Sequence, residues 1–259
     1  MKGRTALITG SSNGLGLAMA QGLAGAGCHI VLHGLESSVD MVPICQALAQ
    51  QHGVSVSYVY ADLSEPRGVH TLVDAAQTLT GSIDILINNA VVRHFSTIED
   101  FPDERWDQAL AVNLTAAFRA IQRTLPGMRE RGYGRIFNMS SAYGSRAIAN
   151  RVDYVTTKTA LLGLTRAVAV ETQGQGITCN AVCPGSVLTP NIESRLSALM
   201  ADKQLDRDTA TREFLIGKQG TGRFVDAAHV ADLIVFLCSD SAVSITGATL
   251  PVDDGWLAS

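Results

Sequence analysis

Residues 5 to 25 change character once. Positions 6–9 form a short apolar run that stops at Gly10, and from Leu15 onward apolar residues recur every four positions, at Leu15, Met19 and Leu23. A continuous apolar run suits a buried strand and a four-residue period suits one helix face, so this segment reads as strand, turn, helix. The turn itself is Thr9-Gly10-Ser11-Ser12-Asn13-Gly14-Leu15-Gly16, a T-G-x-x-x-G-x-G pattern. Gly10 permits a tight reversal, Gly14 lets backbone approach a pyrophosphate, and Gly16 permits close packing of the helix. The helix N-terminus then offers free N–H groups and a positive dipole to phosphates. Glycines often mark nothing more than a turn. What favours the phosphate reading is the position of the pattern, directly after the first strand.

The same alternation continues through the chain. Strands are expected at 30–32, 54–60, 83–87, 135–139, 177–182 and 248–252, with helices at 41–51, 69–79, 106–128, 154–172 and 227–238. Val- and Ile-rich strands alternating with helices imply parallel βαβ units with helices on both sheet faces. The fold class is therefore α/β, a Rossmann-type doubly wound sheet of about seven parallel strands. No linker or composition break divides residues 1–259, which read as a single domain. The stretch 186–222 is too long for an ordinary αβ connection and reads as a lid over a substrate site, with short helices of its own.

Composition narrows the partners. Hydrophobic residues make up 46% and charged residues 17% of the 259 positions, with a net charge of −4. That balance suits a buried core and disfavours a nucleic-acid footprint or a polybasic membrane surface. Residues 5–35 carry no charged residue until Glu36, yet seven glycines interrupt them and no membrane-length apolar run forms. Cys28, Cys45, Cys179, Cys183 and Cys238 are odd in number and loosely spaced, as expected of reduced thiols in a cytoplasmic protein. His29 and His33 lie four apart on a strand, but without a nearby Cys or carboxylate cluster no metal site is expected.

Further candidates fall at the strand carboxyl ends, where open α/β sheets bind ligands. Asp62 follows the third strand, placed to accept a hydrogen bond from adenine or to cap the next helix. Asn88-Asn89-Ala90 follows the fourth, and Ser141 the fifth. Tyr154 and Lys158 are four apart on a helix and share a face. A free tyrosine titrates near ~10, and an adjacent ammonium favours its phenolate, so this pair suits an acid/base.

Taken together these motifs resemble the short-chain dehydrogenase/reductase family. T-G-x-x-x-G-x-G, Asn88-Asn89-Ala90, Asn113, Ser141, Tyr154-x-x-x-Lys158 and Pro184-Gly185 with Thr189 fall in the family's order along the whole chain. The resemblance implies that Tyr154 is the general acid/base, that Ser141 bonds the substrate oxygen, that Lys158 holds the nicotinamide ribose, and that Asn113 supports a water-linked proton relay. It implies cofactor contacts from Gly10, Ser12, Asn13, Gly14, Leu15, Gly16, Leu35, Asp62, Leu63, Asn89, Ala90, Tyr154, Lys158, Pro184, Gly185, Val187 and Thr189. Within the family, 98–102, 174–178, 197–199 and 245–256 most resemble the bacterial D-3-hydroxybutyrate dehydrogenase subgroup.

The departures are informative. The family's N-N-A-G is Asn88-Asn89-Ala90-Val91 here, and its V-D-G-G-W is Val252-Asp253-Asp254-Gly255-Trp256. By position, the subgroup's carboxylate-binding Gln, His, Lys and Gln fall on Arg93, Tyr143, Arg151 and Arg195, and a Trp becomes Ser186. Arginine's planar fork suits bidentate carboxylate binding. The substrate site, expected from Arg93, Ser141, Tyr143, Arg151, Tyr154, Ser186 and Arg195, is thus more cationic and more open. The expected reaction is NAD-dependent oxidation of a D-3-hydroxy acid, 3-hydroxybutyrate or a longer or dicarboxylic relative. NAD is expected over NADP because residues 33–38 and the glycine turn carry no Lys or Arg. A homotetramer is expected, with 154–172 and Trp256-Leu257 offering apolar surface. A 3-oxoacyl thioester reductase, a polyol dehydrogenase and a non-catalytic dinucleotide-binding regulator are the alternatives.

Overall fold

The computed structural model of the chain describes residues 1–258. Seven strands form one parallel sheet in the order β3-β2-β1-β4-β5-β6-β7. They are β1 (Thr5–Ile8), β2 (His29–Gly34), β3 (Val56–Tyr60), β4 (Ile85–Asn88), β5 (Gly134–Met139), β6 (Ile177–Pro184) and β7 (Thr249–Val252). β1 pairs with both β2 and β4, so the chain reverses its direction of travel across the sheet at β1. The crevice outside the carboxyl ends of those two strands is the expected ligand position in such a sheet.

Pleating sends neighbouring strand residues to opposite faces, and two cores result. On one face Ala6, Ile8, Ile30 and Leu32 pack against α1 (Gly14–Gly25), α2 (Ser38–His52) and α9 (Ala227–Leu237) through Met19, Leu23, Met41 and Ile234. On the other, Leu7, Val31, Leu86 and Ile136 meet α3 (Gly68–Thr80), α5 (Ala116–Arg131) and α6 (Val152–Glu171) through Leu72, Ile121, Leu125 and Val168. Strands buried on both faces explain why they read as unbroken apolar runs. No helix among the described residues is long and apolar enough to cross a membrane.

Two local departures from the sequence expectation have physical causes. The helix expected at 106–128 is α4 (Asp103–Leu110), then a π-helical turn at Ala111–Thr115, then α5. Its apolar spacing carries through the turn, so periodicity alone does not show the break. β6 runs on to Pro184, because the proline sits at the last rung, opposite Val252, where its missing N–H costs no ladder bond. The 186–222 stretch contains α7 (Pro190–Lys203) and α8 (Arg207–Leu215), capped by the side chains of Thr189 and Asp206.

The apolar surface expected on 154–172 is mostly spent inside the chain. Leu161, Leu162 and Val168 are buried, while Val170 is exposed. Trp256, expected to need a neighbour's cover, is only 4% exposed and packs edge-on to Tyr143 at 5.0 Å.

Candidate active site

One cavity of about 500 Å³ opens at the carboxyl ends of β1, β4, β5 and β6. Its size is that of a small-molecule or cofactor site. All the residues expected to hold cofactor or substrate line it, and of the catalytic candidates only Asn113 does not.

The glycine turn forms one end. Gly10 has φ +61°, a left-handed conformation that glycine adopts freely. A Cβ on Gly16 would lie 2.2 Å from the Gly10 carbonyl oxygen and 2.8 Å from Asn89 Nδ2, so only glycine lets α1 start this close to the turn. Asn89 fixes the turn from the opposite side, donating from Nδ2 to the carbonyls of Thr9 and Gly10. His33, which sequence reasoning left without a role, completes the scaffold. The Gly10 N–H donates to His33 Nδ1 at 2.9 Å, so the ring's proton sits on Nε2, which faces the Ala61 carbonyl at 2.9 Å. Burial holds the His33 pKa below its ordinary value, and its hydrogen bond to Ala61 and the nearby acids Glu36 and Asp62 only partly counter that.

The acidic groups of the cavity, Glu36 and Asp62, both stand at this end. Asp62 Oδ1 accepts from the N–H and hydroxyl of Ser64, which makes a turn ahead of α3 and does not cap that helix. Glu36 Oε1 accepts from Asn13 at 3.3 Å, while Oε2 is buried without a hydrogen-bond partner. Oε2 lies over Gly34, where a Cβ would come within 2.3 Å of it and 2.9 Å of the Ser12 hydroxyl. An orphaned carboxylate oxygen beside a glycine cradle suits a ligand hydroxyl donor, such as a ribose. The end as a whole therefore fits a dinucleotide, with backbone N–H groups of the turn for its phosphates and Glu36 for its sugar.

Tyr154 stands in the middle of the cavity, 7% exposed. Burial pushes its phenol up, but the Arg93 and Lys158 cations, with hydrogen bonding from Ser141 and Arg93, outweigh this and bring it down to about 8. Lys158 is buried too and donates from Nζ to the Met139 carbonyl at 2.6 Å, which fixes it one helical turn from Tyr154. Desolvation lowers the Lys158 pKa, with Tyr154 opposing the shift. Ser141 caps the short 3₁₀ turn at Ala142–Gly144 by accepting from the Tyr143 N–H.

Asn113 lies beneath this group in the π-helical turn, a feature that recurs at functional sites. It accepts from the Val92 N–H at 2.8 Å and donates to the Val92 carbonyl and the Thr157 hydroxyl. Its amide thus ties the segment bearing Arg93 to the helix bearing Tyr154.

The other end is cationic. Arg93, Arg151 and Arg195, which the sequence left free to diverge, all line the cavity. Lys218, Phe95 and Phe214 join them and were missed, because they come from the loop after β4 and from the 186–222 stretch, neither of which carries a motif. Ser186 is held by a buried Gln219, which accepts from its N–H and donates to its carbonyl.

A strand–glycine turn–helix, a tyrosine–lysine pair on one helix face and a serine opposite them recur together in a single enzyme family, and the matches to known proteins agree. A family model described as enoyl-(acyl carrier protein) reductase, of the short-chain dehydrogenase type, matches residues 10–257. The chain belongs to the short-chain dehydrogenase/reductase family. It is 39% identical to the D-beta-hydroxybutyrate dehydrogenase of Cupriavidus necator, covering 100% of this chain and 99% of that one. It is 37% identical to the enzyme of the same name from Rhizobium meliloti, covering 98% and 99%. Among solved structures, L-sorbose reductase from Gluconobacter frateurii, complexed with NADPH and L-sorbose, superposes with a TM-score of 0.95 at 32% identity, covering 100% and 98%. As a short-chain dehydrogenase/reductase the chain is an oxidoreductase acting on CH–OH groups, and its fold binds a nicotinamide dinucleotide.

Proposed function

We propose that this short-chain dehydrogenase uses NAD to oxidise the 3-hydroxyl of a D-3-hydroxy carboxylic acid, 3-hydroxybutyrate or a longer or dicarboxylic relative, to the 3-oxo acid. The observation that carries this reading is the placement of Tyr154 between the dinucleotide-fitting end of the cavity and a cationic end. The similarity to two D-beta-hydroxybutyrate dehydrogenases supports the same substrate class.

When bound, the dinucleotide supplies the hydride acceptor for the carbinol carbon. The protein's own residues handle the proton. Arg93 and Lys158 favour the Tyr154 phenolate, whose oxygen takes the substrate hydroxyl proton. Ser141, beside the same oxygen, holds the substrate oxygen in line. Lys158, anchored on Met139, is placed to hold the nicotinamide ribose. Asn113 acts as the strut that keeps Arg93 and Tyr154 in register, and the family resemblance gives it the further role of supporting a water-linked proton relay. The preference for NAD rests on Glu36, whose carboxylate at the sugar position would repel a 2′-phosphate. The segment containing α7 and α8 serves as the lid. Assembly as a cytoplasmic homotetramer completes the reading and rests on the family resemblance.

The test is NADH absorbance with D-3-hydroxybutyrate, its methyl ester, a neutral polyol and a 3-oxoacyl thioester. Faster turnover of the free acid with NAD is expected. Equal turnover of acid and ester, or a kcat/KM favouring NADP, rejects the corresponding part.

A further inference from the structure

The cationic end divides into two pairs. Arg93 and Arg151 flank the Tyr154 ring, with Cζ 5.4 and 4.7 Å from its centroid. Arg195 and Lys218 belong to the lid and flank Phe214, at 5.2 and 4.1 Å. Phe95 bridges the pairs, with Arg151 at 4.2 Å on it and Arg195 at 5.2 Å. Among the described residues, none of the four cations is within ion-pair distance of a carboxylate. Among the described residues the acids lining the cavity are Glu36 and Asp62, at its far end, and the one nearby carboxylate acting on Arg151 is the buried Asp153, which does not line the cavity.

Arg151 marks this as a site built for an anion. It is 7% exposed, and its buried Nε has no hydrogen-bond partner. Burying an unpaired guanidinium is costly, and aromatic faces compensate it only in part. Burial, then the neighbouring Arg195 and Arg151, also lowers the Lys218 pKa to about 8. A monocarboxylate can neutralise one pair only. It leaves the other pair facing it across Phe95.

We propose that the preferred substrate is a hydroxy dicarboxylate, one carboxylate held by Arg93 and Arg151 beside Tyr154 and the second by Arg195 and Lys218 on the lid. This rests on the hydroxy-acid reading above and sharpens it. The second carboxylate also supplies a reason for the lid to close, since it bonds α7 and the segment after α8 to the stationary half of the cavity.

Calorimetric binding to the enzyme with NAD, using the unreactive acids glutarate, adipate and butyrate, tests this without requiring turnover. A charge-assisted pair is worth about 10- to 100-fold in affinity, so one diacid of the series should bind that much more tightly than butyrate. Arg195→Gln and Lys218→Gln should each shrink the ratio between diacid and butyrate. At pH about 8 diacid binding should take up protons, as Lys218 regains its charge, seen as a heat that depends on the buffer. Butyrate binding as tightly as both diacids overturns the proposal, and so does an unchanged ratio in both variants. If Arg195→Gln weakens NAD instead, the lid pair serves the cofactor and the proposal fails. Tight diacid binding with no oxidation of any 3-hydroxy acid would instead reject the reaction assigned above and leave the two-anion site standing.

Discussion

The two ends of the cavity are built in opposite ways. At the dinucleotide end the work is done by backbone. Gly10 and Gly16 permit the turn, and Asn89 and His33 bond its peptide groups. Among the buried side chains described there, the orphan is Glu36 Oε2, a single acceptor. At the other end the work is done by long side chains from three separate segments, stacked on aromatic rings and lacking carboxylate partners. The first end is shaped by its own backbone before ligand arrives, whereas the second gathers like charges that the proposed anion would neutralise. A scaffold shared by many chemistries keeps its cofactor end fixed and writes its specificity into the loops.

The sharpest way to separate the ends is at Tyr154, where they meet. Tyr154→Phe removes the proton acceptor together with its hydroxyl's bonds to Ser141 and Arg93, so kcat should fall by ~10²–10⁴-fold while NADH binding, followed by fluorescence, changes little. In the intact enzyme the oxidation rate should rise with pH and level off above about 8, since the phenolate is the working form. Reduction needs the phenol and should fall over the same range. A kcat in the phenylalanine variant near that of the parent would remove Tyr154 from the chemistry.

Gly16→Ala should break the opposite end. The added methyl meets the Gly10 carbonyl oxygen and Ser11 Cα, both backbone atoms that cannot swing aside. Overpacking of this kind costs about 1–3 kcal/mol, so NAD affinity should drop by roughly 5- to 150-fold. Glutarate affinity of the NAD-free protein should barely move. If both ligands weaken together, the two ends are coupled and the contrast drawn above is wrong.

His33 offers a gentler lever on the same end. Its folded pKa lies below the ordinary value, so the unfolded chain binds the extra proton first as pH falls. Stability is therefore full above about pH 6.5 and declines below it, by at most about 1.4 kcal/mol per pH unit. Protonation at Nδ1 also removes the acceptor for the Gly10 N–H. His33→Asn should flatten the acid limb of a melting-temperature profile. An unaltered limb would place the acid sensitivity elsewhere.

The contrast between the ends also explains what could be read from sequence. The dinucleotide end was legible because its constraint is backbone geometry, and only glycine at fixed spacing satisfies it. The βαβ order followed from unbroken apolar runs alternating with stretches of nearly four-residue period. Tyr154 and Lys158 were legible because one helix face brings them together. Lys218, Phe95 and Phe214 were not, since two lie in loops that carry no period, Phe214 lies on the short helix α8, and their convergence depends on how the 186–222 stretch folds back. His33 was passed over because a lone strand histidine has many bland explanations. The π-helical turn escaped because one extra residue per turn leaves the apolar spacing of 106–128 nearly intact.

Where the tail meets the lid, the smallest effect distinguishes strain from bonding. Asp254 has φ +53° and stands where the family pattern has glycine, a backbone region that aspartate tolerates better than most residues. Its Oδ2 accepts from the Thr221 hydroxyl at 2.6 Å, tying the C-terminal segment to the end of the 186–222 stretch. Two substitutions separate these contributions. Asp254→Gly loses the bond and relieves the backbone, so the changes largely cancel and the melting temperature should stay within a few degrees. Asp254→Ala loses the bond and keeps the strain, and should be less stable than the glycine variant by about 1 kcal/mol. Both should loosen the lid alike, raising KM for the acid by a similar small factor while leaving NAD affinity alone. Equal stabilities for the two variants would mean that this backbone is unstrained. A KM change in only one would mean that the Thr221 bond does not hold the lid.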